Sequence, residues 1–349
     1  MYINDREEIS KTKIENIKNR SKIENVIRSL LLAEDYAEVK TPIINRYADI
    51  APITQFKVHS PLETVELYLR IAPTEQLKKL IHFGFDKVFE FSTNFRNDKV
   101  DSKHLFEFTS LEIMDRDKSV YDKMNQTEYL IKKCIEYCIN NNIGAGNNDF
   151  FKSLDKNWLR ISVIDYFLSE YNIDINNENC IEALSNLYGN MFNKKIADSK
   201  SEMISQIVDS KISKYDTPVF VGEFPWYMEG PAKKLENCNG KERYELYYKN
   251  LELANMSSTL VDKDMLLKWY NDTISNKNIT EGRNYLLDPE LISIFNEGMP
   301  NSAVVGIGID RLIMLLLNIE NIGQTVCFDN DSSENKVKKI RKDEIYGKN

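Results

Sequence analysis

Two arginines and two glutamates in this chain have the types and spacing of residues that bind a nucleotide and its metal ion. The charged pair Asp310 and Arg311 follows the glycine-spaced apolar run "SAVVGIGI", at the predicted junction of a strand and a helix. Glycine allows a ligand to approach the backbone, and a helix N-terminus favours anions, so Arg311 could bind a phosphate. The alternative is an ordinary strand-to-helix turn with a solvated arginine, because Gly-x-Gly alone is a weak motif.

A second arginine lies on one face of a predicted β-hairpin. "KVFEFSTNFRND" alternates with period two, which puts polar residues on one side of the strand: Glu90, Ser92, Asn94, Arg96 and Asp98. After the polar loop "KVDSK", the return strand "HLFEFTSLEIM" has one face made of His104, Phe106, Phe108, Ser110, Glu112 and Met114. An arginine, a phenylalanine and a carboxylate on one sheet surface could bind a phosphate, a planar base and an amine. The alternative is a solvent-facing hairpin with cross-strand ion pairs.

Another predicted hairpin, "ERYELYYKNLELANMSS", places two glutamates together. We expect a two-residue turn at Lys249-Asn250, where asparagine tolerates positive φ. Glu252 then lies opposite Tyr247, and Glu245 becomes its diagonal neighbour on the same face. Such a pair is unfavourable without a cation, and Mg²⁺ held by carboxylates and nucleotide phosphates fits it. The alternative is that both side chains extend into water.

The elements that position these residues predict an α+β fold with a mainly antiparallel sheet flanked by helices. Residues 1–36 and the segment beginning near Pro73 have apolar residues at helical spacing, and "AEVKTPII" is predicted to be extended. Residues 117–215 are predicted to form a mostly helical insertion. We expect a single domain over residues 1–335 and a polar tail over residues 336–349.

Composition restricts the class of protein. Of the 349 residues, 42% are hydrophobic and 29% charged, which is typical of a soluble globular chain. No apolar run approaches the roughly 18 residues that span a bilayer, and the charged N-terminus has no signal-peptide core. We interpret the five cysteines as reduced thiols of a cytoplasmic protein rather than as zinc ligands. The net charge of −8 argues against extensive contact with nucleic acid.

These segments together resemble the class II aminoacyl-tRNA synthetases over about residues 20–330. "FRNDKVDSKHLFEFTSLE" resembles motif 2 of that family, "GIGIDRL" resembles motif 3, and "AEVKTPII" resembles the proline region of motif 1. "LRIAPTEQLKKLIHFGFDKVFE" and "ERYELYYKNLELANMSSTLVD" are similar to the lysyl branch, subclass IIb. The resemblance implies ATP and Mg²⁺ as cofactors, a homodimer built through motif 1, and activation of an amino acid as an aminoacyl-adenylate.

The resemblance also implies roles for individual residues. Arg96 and Arg311 are the expected catalytic residues. Arg96 is expected to contact the α-phosphate and the substrate carboxylate, and Arg311 is expected to contact the γ-phosphate. The implied ATP-binding set is Arg96, Asp98, His104, Phe108, Gly308 and Arg311. The implied amino-acid-binding set is Thr74, Glu75, Arg96, Glu112, Met114, Asn255, Thr259, Val304 and Gly306. Glu245 and Glu252 are the implied Mg²⁺ ligands.

Several substrate positions differ from the lysyl pattern that the chain resembles. The changed positions are Thr74, Thr259, Met114, Val304 and Asp98. Thr74 replaces the glutamate that binds the α-amino group, although Glu75 is next to it. Thr259 and Met114 replace a glutamate and a tyrosine at the ε-ammonium end, where Glu112 remains. Because removing a carboxylate from a buried ammonium costs several kcal/mol, we do not expect plain L-α-lysine to be the substrate.

Only about 35 residues precede motif 1, too few for the anticodon-binding barrel of lysyl synthetases, so we expect a free-standing catalytic domain. This is the layout of the synthetase paralogue that ligates lysine to elongation factor P. The expected function is amino-acid activation with transfer to a non-tRNA acceptor, either a protein lysine or a small-molecule amine. The alternatives are tRNA aminoacylation without an anticodon domain and a non-catalytic paralogue that binds an amino acid or a partner. Retention of Arg96, Glu245, Glu252 and Arg311 argues against the last.

Overall fold

The computed structural model describes residues 10–328, except residues 52, 63–65, 145–147, 194–198, 229 and 283–284. The helices of this part of the chain are α1 (Lys11–Ala33), α2 (Thr74–His82), α3 (Val120–Asn140), α4 (Val163–Tyr171), α5 (Ile181–Phe192), α6 (Lys200–Ile212), α7 (Lys263–Glu281), α8 (Pro289–Glu297) and α9 (Ile309–Leu317). The strands are β1 (Ala37–Glu38), β2 (Ile44–Asn45), β3 (Lys57–Val58), β4 (Leu67–Leu69), β5 (Lys87–Phe95), β6 (Glu107–Arg116), β7 (Leu159–Ser162), β8 (Val219–Gly222), β9 (Arg243–Tyr248), β10 (Leu251–Ser258) and β11 (Ser302–Gly308).

An eight-stranded sheet forms the centre of the fold, in the order β1-β5-β6-β11-β10-β9-β8-β7. Its neighbouring strands are antiparallel except at the two edges, where β1 pairs with β5 and β7 pairs with β8 in parallel. A smaller antiparallel sheet has the order β2-β4-β3. The prediction of an α+β fold with a mainly antiparallel sheet is therefore confirmed.

One face of the large sheet is apolar and is covered by α1, α3 and α9. Phe89, Leu111 and Val305 lie on this face and belong to the same buried cluster as Ile27 of α1 and Ile313 of α9. Because successive side chains of a strand point to opposite faces, the residues between these apolar positions face the other side of the sheet. That other face carries the predicted site.

The predicted local elements correspond closely to the described ones. The N-terminal helix runs over Lys11–Ala33, and the part predicted over residues 1–9 lies outside the described residues. The helix predicted near Pro73 begins at Thr74. The turn at Lys249-Asn250 is confirmed by the pairing of the strands on either side of it. However, the positive φ, 53°, belongs to Lys249, so our expectation that asparagine supplies it was wrong.

In the described part of residues 117–215, four α-helices pack into two different cores. Helix α3 belongs to the central core beneath the large sheet. Helices α4, α5 and α6 surround a second buried cluster, to which β8 contributes Val219 and Val221. The predicted polar tail over residues 336–349 lies outside the described residues.

No helix within the described ranges has the length and apolar character needed to cross a bilayer. All five cysteines are free thiols, and Cys134, Cys138 and Cys180 are buried.

Candidate active site

A row of residues crosses five strands on the face opposite α1, α3 and α9. Glu90 on β5 pairs with Glu112 on β6, and Glu112 pairs with Gly306 on β11. Gly306 in turn pairs with Asn255 on β10, which pairs with Glu245 on β9. Four predicted site residues from distant segments are thus brought into one line.

In the middle of this row, β11 carries no side chains at Gly306 and Gly308, and we call this strip of the sheet surface the trough. A Cβ atom on Gly306 would lie 2.5 Å and 2.9 Å from the two carboxylate oxygens of Glu112, so Glu112 occupies the space that a side chain would need. Gly308 lies at one end of the trough, where α9 begins. At the other end, Val304 pairs with Met114, and both pack into one apolar cluster. Two residues of a strand span about 7 Å, so Val304 and Met114 close the trough at that distance from Gly306.

The carboxylates of the row have different partners. Glu90 forms a buried ion pair with Arg70, at 2.8 Å, and its other oxygen accepts the Thr41 hydroxyl at 2.7 Å. Glu112 accepts a hydrogen bond from Ser110 Oγ at 2.8 Å. Burial raises the pKa of Glu112, against the opposing effects of the Ser110 hydrogen bond and the Arg96 charge. Glu112 is therefore a buried acceptor that can take a ligand ammonium.

Ser92 and Asn94 extend the polar surface beyond Glu112, and sequence reasoning missed them as site residues. Asn94 Nδ2 donates to Ser92 Oγ at 2.9 Å and to Ser110 Oγ at 2.8 Å. Asn94 is 1% exposed, and its Oδ1 has no partner in the described chain. The polar face of β5 is consequently buried, and the alternative of a solvent-facing hairpin is wrong. The signal in the sequence was the alternation that put Ser92 and Asn94 on the same face as Glu90.

Two arginines, Arg96 beside Phe108 and Arg311 at the start of α9, lie close enough to repel each other. The Cζ atom of Arg96 lies 5.1 Å from the centre of the Phe108 ring. Arg311 Nη1 donates to the backbone carbonyl of Glu252 at 2.9 Å and lies 3.8 Å from its carboxylate. The pKa of Arg96 is lowered by desolvation, and Arg311 lowers it further, whereas Glu252 raises it. Two mutually repelling guanidinium groups beside an aromatic ring are suited to bind a nucleotide polyphosphate.

The loop between β5 and β6 holds the remaining residues predicted near ATP. The alternation predicted that Arg96 and Asp98 belong to the strand, and this was wrong: β5 ends at Phe95, so both residues lie in the loop. His104 is exposed, and its Nδ1 lies 2.7 Å from Asp101. Arg311 Nε donates to the carbonyl of Lys103 at 3.4 Å, which connects the loop to α9.

The two predicted metal ligands lie on one face, as the turn predicts, with Glu252 opposite Tyr247. Glu245 accepts from Asn255 Nδ2 at 3.1 Å and from Tyr247 Oη at 2.8 Å, and it forms an ion pair with Arg243. Burial raises the pKa of Glu252, and repulsion from Glu245 raises it further. Carboxylate oxygens that repel each other are a fitting donor set for Mg²⁺, which binds one or two carboxylates together with substrate phosphates. Within the described ranges, no group of three or more His, Cys, Asp or Glu residues is arranged to hold a metal ion by itself.

Two residues predicted to bind the amino acid contact other parts of the fold. Glu75, in the first turn of α2, accepts the Ile50 N–H at 3.1 Å. Burial raises the pKa of Glu75 to about 8, and Asp49 contributes to the rise. The hydroxyl of buried Thr259 accepts a hydrogen bond of 2.8 Å from Oγ of Ser302, the first residue of β11. The described hydrogen bonds of Glu75 and Thr259 thus connect neither residue to Glu112.

Asp310 anchors the arginine next to it. Its Oδ2 accepts the backbone N–H of Thr109 on β6 at 2.6 Å, and its Oδ1 forms an ion pair with Arg20 of α1. Asp310 is 2% exposed. This side chain therefore joins the start of α9 to β6 and α1, and it fixes the backbone from which Arg311 extends.

Comparison with known proteins identifies the family. The model of the family described as tRNA synthetases class II (D, K and N) matches residues 7–332, so the chain belongs to this family. Similar proteins include the lysine–tRNA ligase of Vesicomyosocius okutanii subsp. Calyptogena okutanii, 31% identical over 338 residues, which are 94% of this chain and 66% of that protein. The lysine–tRNA ligase of Buchnera aphidicola subsp. Cinara cedri is 33% identical over 328 residues, 92% of this chain and 64% of that protein. The chain spans slightly less than two thirds of the length of these relatives.

Proposed function

We propose that the protein uses ATP to activate an amino acid as an aminoacyl-adenylate, with release of pyrophosphate. The observation that carries this proposal is the meeting of Arg96, Phe108 and Arg311 at the end of a trough that contains buried Glu112. In this reaction the amino-acid carboxylate attacks the α-phosphate in line. Such a step is accelerated mainly by positioning the reactants and by neutralising the developing charge.

Each group of the site has a proposed role. Arg96 binds the α-phosphate and the attacking carboxylate, Phe108 stacks on the adenine, and Arg311 binds the γ-phosphate. Glu245 and Glu252 would hold Mg²⁺, which supplies positive charge to the phosphates. The ATP is bordered by the loop residues Asp98 and His104 and by Gly308. The amino acid lies in the trough beside Glu112, Gly306 and Asn255. The other proposed amino-acid-binding residues surround it: Thr74, Glu75, Thr259, Met114 and Val304.

The test is amino-acid-dependent exchange of pyrophosphate into ATP over a broad panel that includes β- and N-modified amino acids. Arg96→Ala and Arg311→Ala should each reduce exchange by at least about 100-fold, because both charges act on phosphate. Arg160→Ala is the matched control, since Arg160 is exposed on β7 and donates to Asn125. Near-normal exchange in both site variants would place the reaction elsewhere, and no exchange with any amino acid would favour a non-catalytic paralogue.

We propose a non-tRNA acceptor, either a protein lysine or a small-molecule amine. The net charge of −8 supports it, because it argues against extensive contact with nucleic acid. Transfer to tRNA is the second candidate, because the relatives are named lysine–tRNA ligases. Enzyme, ATP and labelled amino acid are incubated with total tRNA and separately with polyamines and lysine-rich protein. Alkali-labile, ribonuclease-sensitive label would identify a tRNA ester, whereas alkali-stable label would identify an amide.

We also propose that the protein is a homodimer that uses the motif 1 segment. Leu32 at the end of α1, and Ile43 and Ile44 in the motif 1 segment, are apolar residues that are 41–50% exposed in the single chain. A two-fold dimer would bury the same residues on both copies. Light scattering should give twice the mass of the chain, and an active monomer would contradict the proposal.

A further inference from the structure

Arg243 forms a closed triangle with two residues of the proposed site. It lies two residues before Glu245 on β9, so both side chains are on the same face. The Arg243 guanidinium pairs with Glu245 Oε1, and its Nε donates to Asn255 Oδ1 at 3.3 Å. Asn255 Nδ2 closes the triangle by donating to the same Glu245 oxygen at 3.1 Å. The Cζ atom of Arg243 also lies 5.2 Å from the centre of the Phe224 ring.

We infer that Arg243 is a positioning residue of this site: it fixes the amide of Asn255 and compensates the charge of Glu245, which leaves Glu252 as the carboxylate open to a divalent cation. The inference rests on the proposed function, because it assigns Asn255 to the amino-acid trough and the two glutamates to Mg²⁺. The sequence alone did not predict that Arg243 fixes the Asn255 amide or compensates the charge of Glu245.

The triangle permits only one orientation of the Asn255 amide. A guanidinium only donates hydrogen bonds and a carboxylate only accepts them. Turning the amide over would put its NH₂ group against Arg243 and its oxygen against Glu245, so both contacts would be lost. Because Asn255 is paired with Gly306, the remaining hydrogen and lone pair of this amide have fixed positions beside the trough.

The same triangle makes the two glutamates unequal. Glu245 receives donors from Arg243, Asn255 and Tyr247 on its two oxygens. The Glu252 carboxylate has no hydrogen-bond donor in the described part of the chain, and Arg311 lies 3.8 Å away. Arg243 therefore reduces the net negative charge available to a cation while it orders the amino-acid side of the site. Removing its charge should strengthen cation binding, which is the opposite of what general damage to the site would do.

The direct test measures Mn²⁺ binding to the full chain without nucleotide. The electron paramagnetic resonance signal of free Mn²⁺ gives the unbound concentration. Arg243→Gln should bind Mn²⁺ about tenfold more tightly than wild type, because one nearby positive charge is gone. Arg243→Lys keeps a positive charge and should stay close to wild type. Glu252→Gln should bind more weakly. Equal or weaker binding by Arg243→Gln than by wild type would overturn the inference.

The second test separates the amino acid from ATP in the exchange reaction. Arg243→Gln and Arg243→Lys should both raise the amino-acid KM about tenfold with little change in the KM for ATP, because neither restores the forked contact to Asn255. In Asn255→Ala, adding Arg243→Gln should have no further effect on that KM, since the two residues act as one unit. Additive effects would overturn the positioning role.

Arg160→Gln is the matched control, because Arg160 is exposed on β7 and donates to Asn125 at 2.6 Å. It should change neither Mn²⁺ binding nor exchange. If Arg243→Gln does not fold, Arg243→Lys still tests the role through its KM values. If wild type shows no exchange with any amino acid, the proposed function fails, while the Mn²⁺ measurements still decide whether Arg243 opposes cation binding.

Discussion

Glu90 and Glu112 lie directly opposite each other on β5 and β6, yet Arg70 forms an ion pair with Glu90 alone. Adjacent buried carboxylates repel each other, so the one without a paired cation is the natural receptor for a ligand ammonium. Glu112 has that position, and it lies against Gly306 in the trough. One carboxylate of the pair thus serves the fold, and the other is available to the substrate.

The two glutamates should respond differently to the same substitution. Glu90→Gln leaves Arg70 buried without its counter-charge and should reduce the free energy of unfolding by about 3–5 kcal/mol. Glu112→Gln removes a buried carboxylate that has no ion pair and should change stability by less than about 1 kcal/mol, while the amino-acid KM rises roughly 10- to 100-fold. Urea unfolding and pyrophosphate exchange measure the two quantities. Equal loss of stability in both variants would show that Glu112 is also part of the structural network.

Asp310 should be more important for stability than its position beside Arg311, the proposed phosphate ligand, suggests. Asp310→Asn weakens both the ion pair with Arg20 and the bond from the Thr109 N–H, and should lower the free energy of unfolding by about 2–3 kcal/mol. Glu24→Gln is the matched control, since Glu24 also pairs with Arg20 but is more exposed. The control should lose less than about 1 kcal/mol. Similar losses in both variants would contradict the anchoring role.

Glu75 should make the protein less stable as the pH rises. Its pKa in the folded state is raised to about 8 by burial and by Asp49, against the attraction of Lys78. Between about pH 4.5 and pH 8 the folded chain therefore holds a proton that the unfolded chain has released, so the free energy of unfolding falls over this range. Lys123, whose pKa is lowered to about 8, stays protonated in both states below that pH.

Glu75→Gln should flatten this pH dependence. The glutamine remains neutral and can still accept the Ile50 N–H, so the loss between pH 5 and pH 8 should be roughly 1–3 kcal/mol smaller than in wild type. Urea unfolding at pH 5, 6.5 and 8 makes the comparison. Parallel curves for the two proteins would mean that Glu75 is ionised in the folded state throughout this range.

The features predicted correctly from the sequence are those fixed by a short stretch of chain. Period-two alternation is a local property, and it gave the β5–β6 hairpin and the common face of Glu90, Ser92 and Asn94. The turn at Lys249-Asn250 correctly predicted that Glu252 lies opposite Tyr247, but the pairing shifts by one residue between Glu252 and Ala254, so Glu245 lies opposite Asn255. The prediction of which turn residue has the positive φ was wrong, because turn geometry depends on the twist of the flanking strands as well as on residue type.

The features that could not be predicted depend on contacts between distant segments. The spacing of residues along β5 does not indicate that Arg70 pairs with Glu90. Nor does it indicate that the Glu112 carboxylate packs against Gly306. The alternation put Arg243 beside Glu245, but only the register of β9 with β10 brings Asn255 to the same guanidinium. No role could be assigned to Asp310 from the sequence, because its partners, Thr109 and Arg20, are remote from it along the chain.

Lysine should be a poor substrate, because the trough is closed where its ε-ammonium would lie. Val304 and Met114 form an apolar wall there. The Thr259 hydroxyl is hydrogen-bonded to Ser302 Oγ. An ammonium left against this wall without a carboxylate partner loses a few kcal/mol of binding, so lysine should be used at least about 100-fold less efficiently than the best amino acid of the exchange panel.

Two substitutions should move this preference toward lysine. Val304→Gly lengthens the trough, and Thr259→Glu adds a carboxylate at its far side, so the double variant should raise lysine efficiency by about tenfold or more relative to the best substrate. Val304→Ile, which keeps the trough closed, is the control and should leave the ratio unchanged or lower. Competition between labelled lysine and the best substrate measures the ratio in each protein. If wild type prefers L-α-lysine to every other amino acid tested, the wall does not exclude the ε-ammonium, and the protein should be regarded as a lysine-activating enzyme.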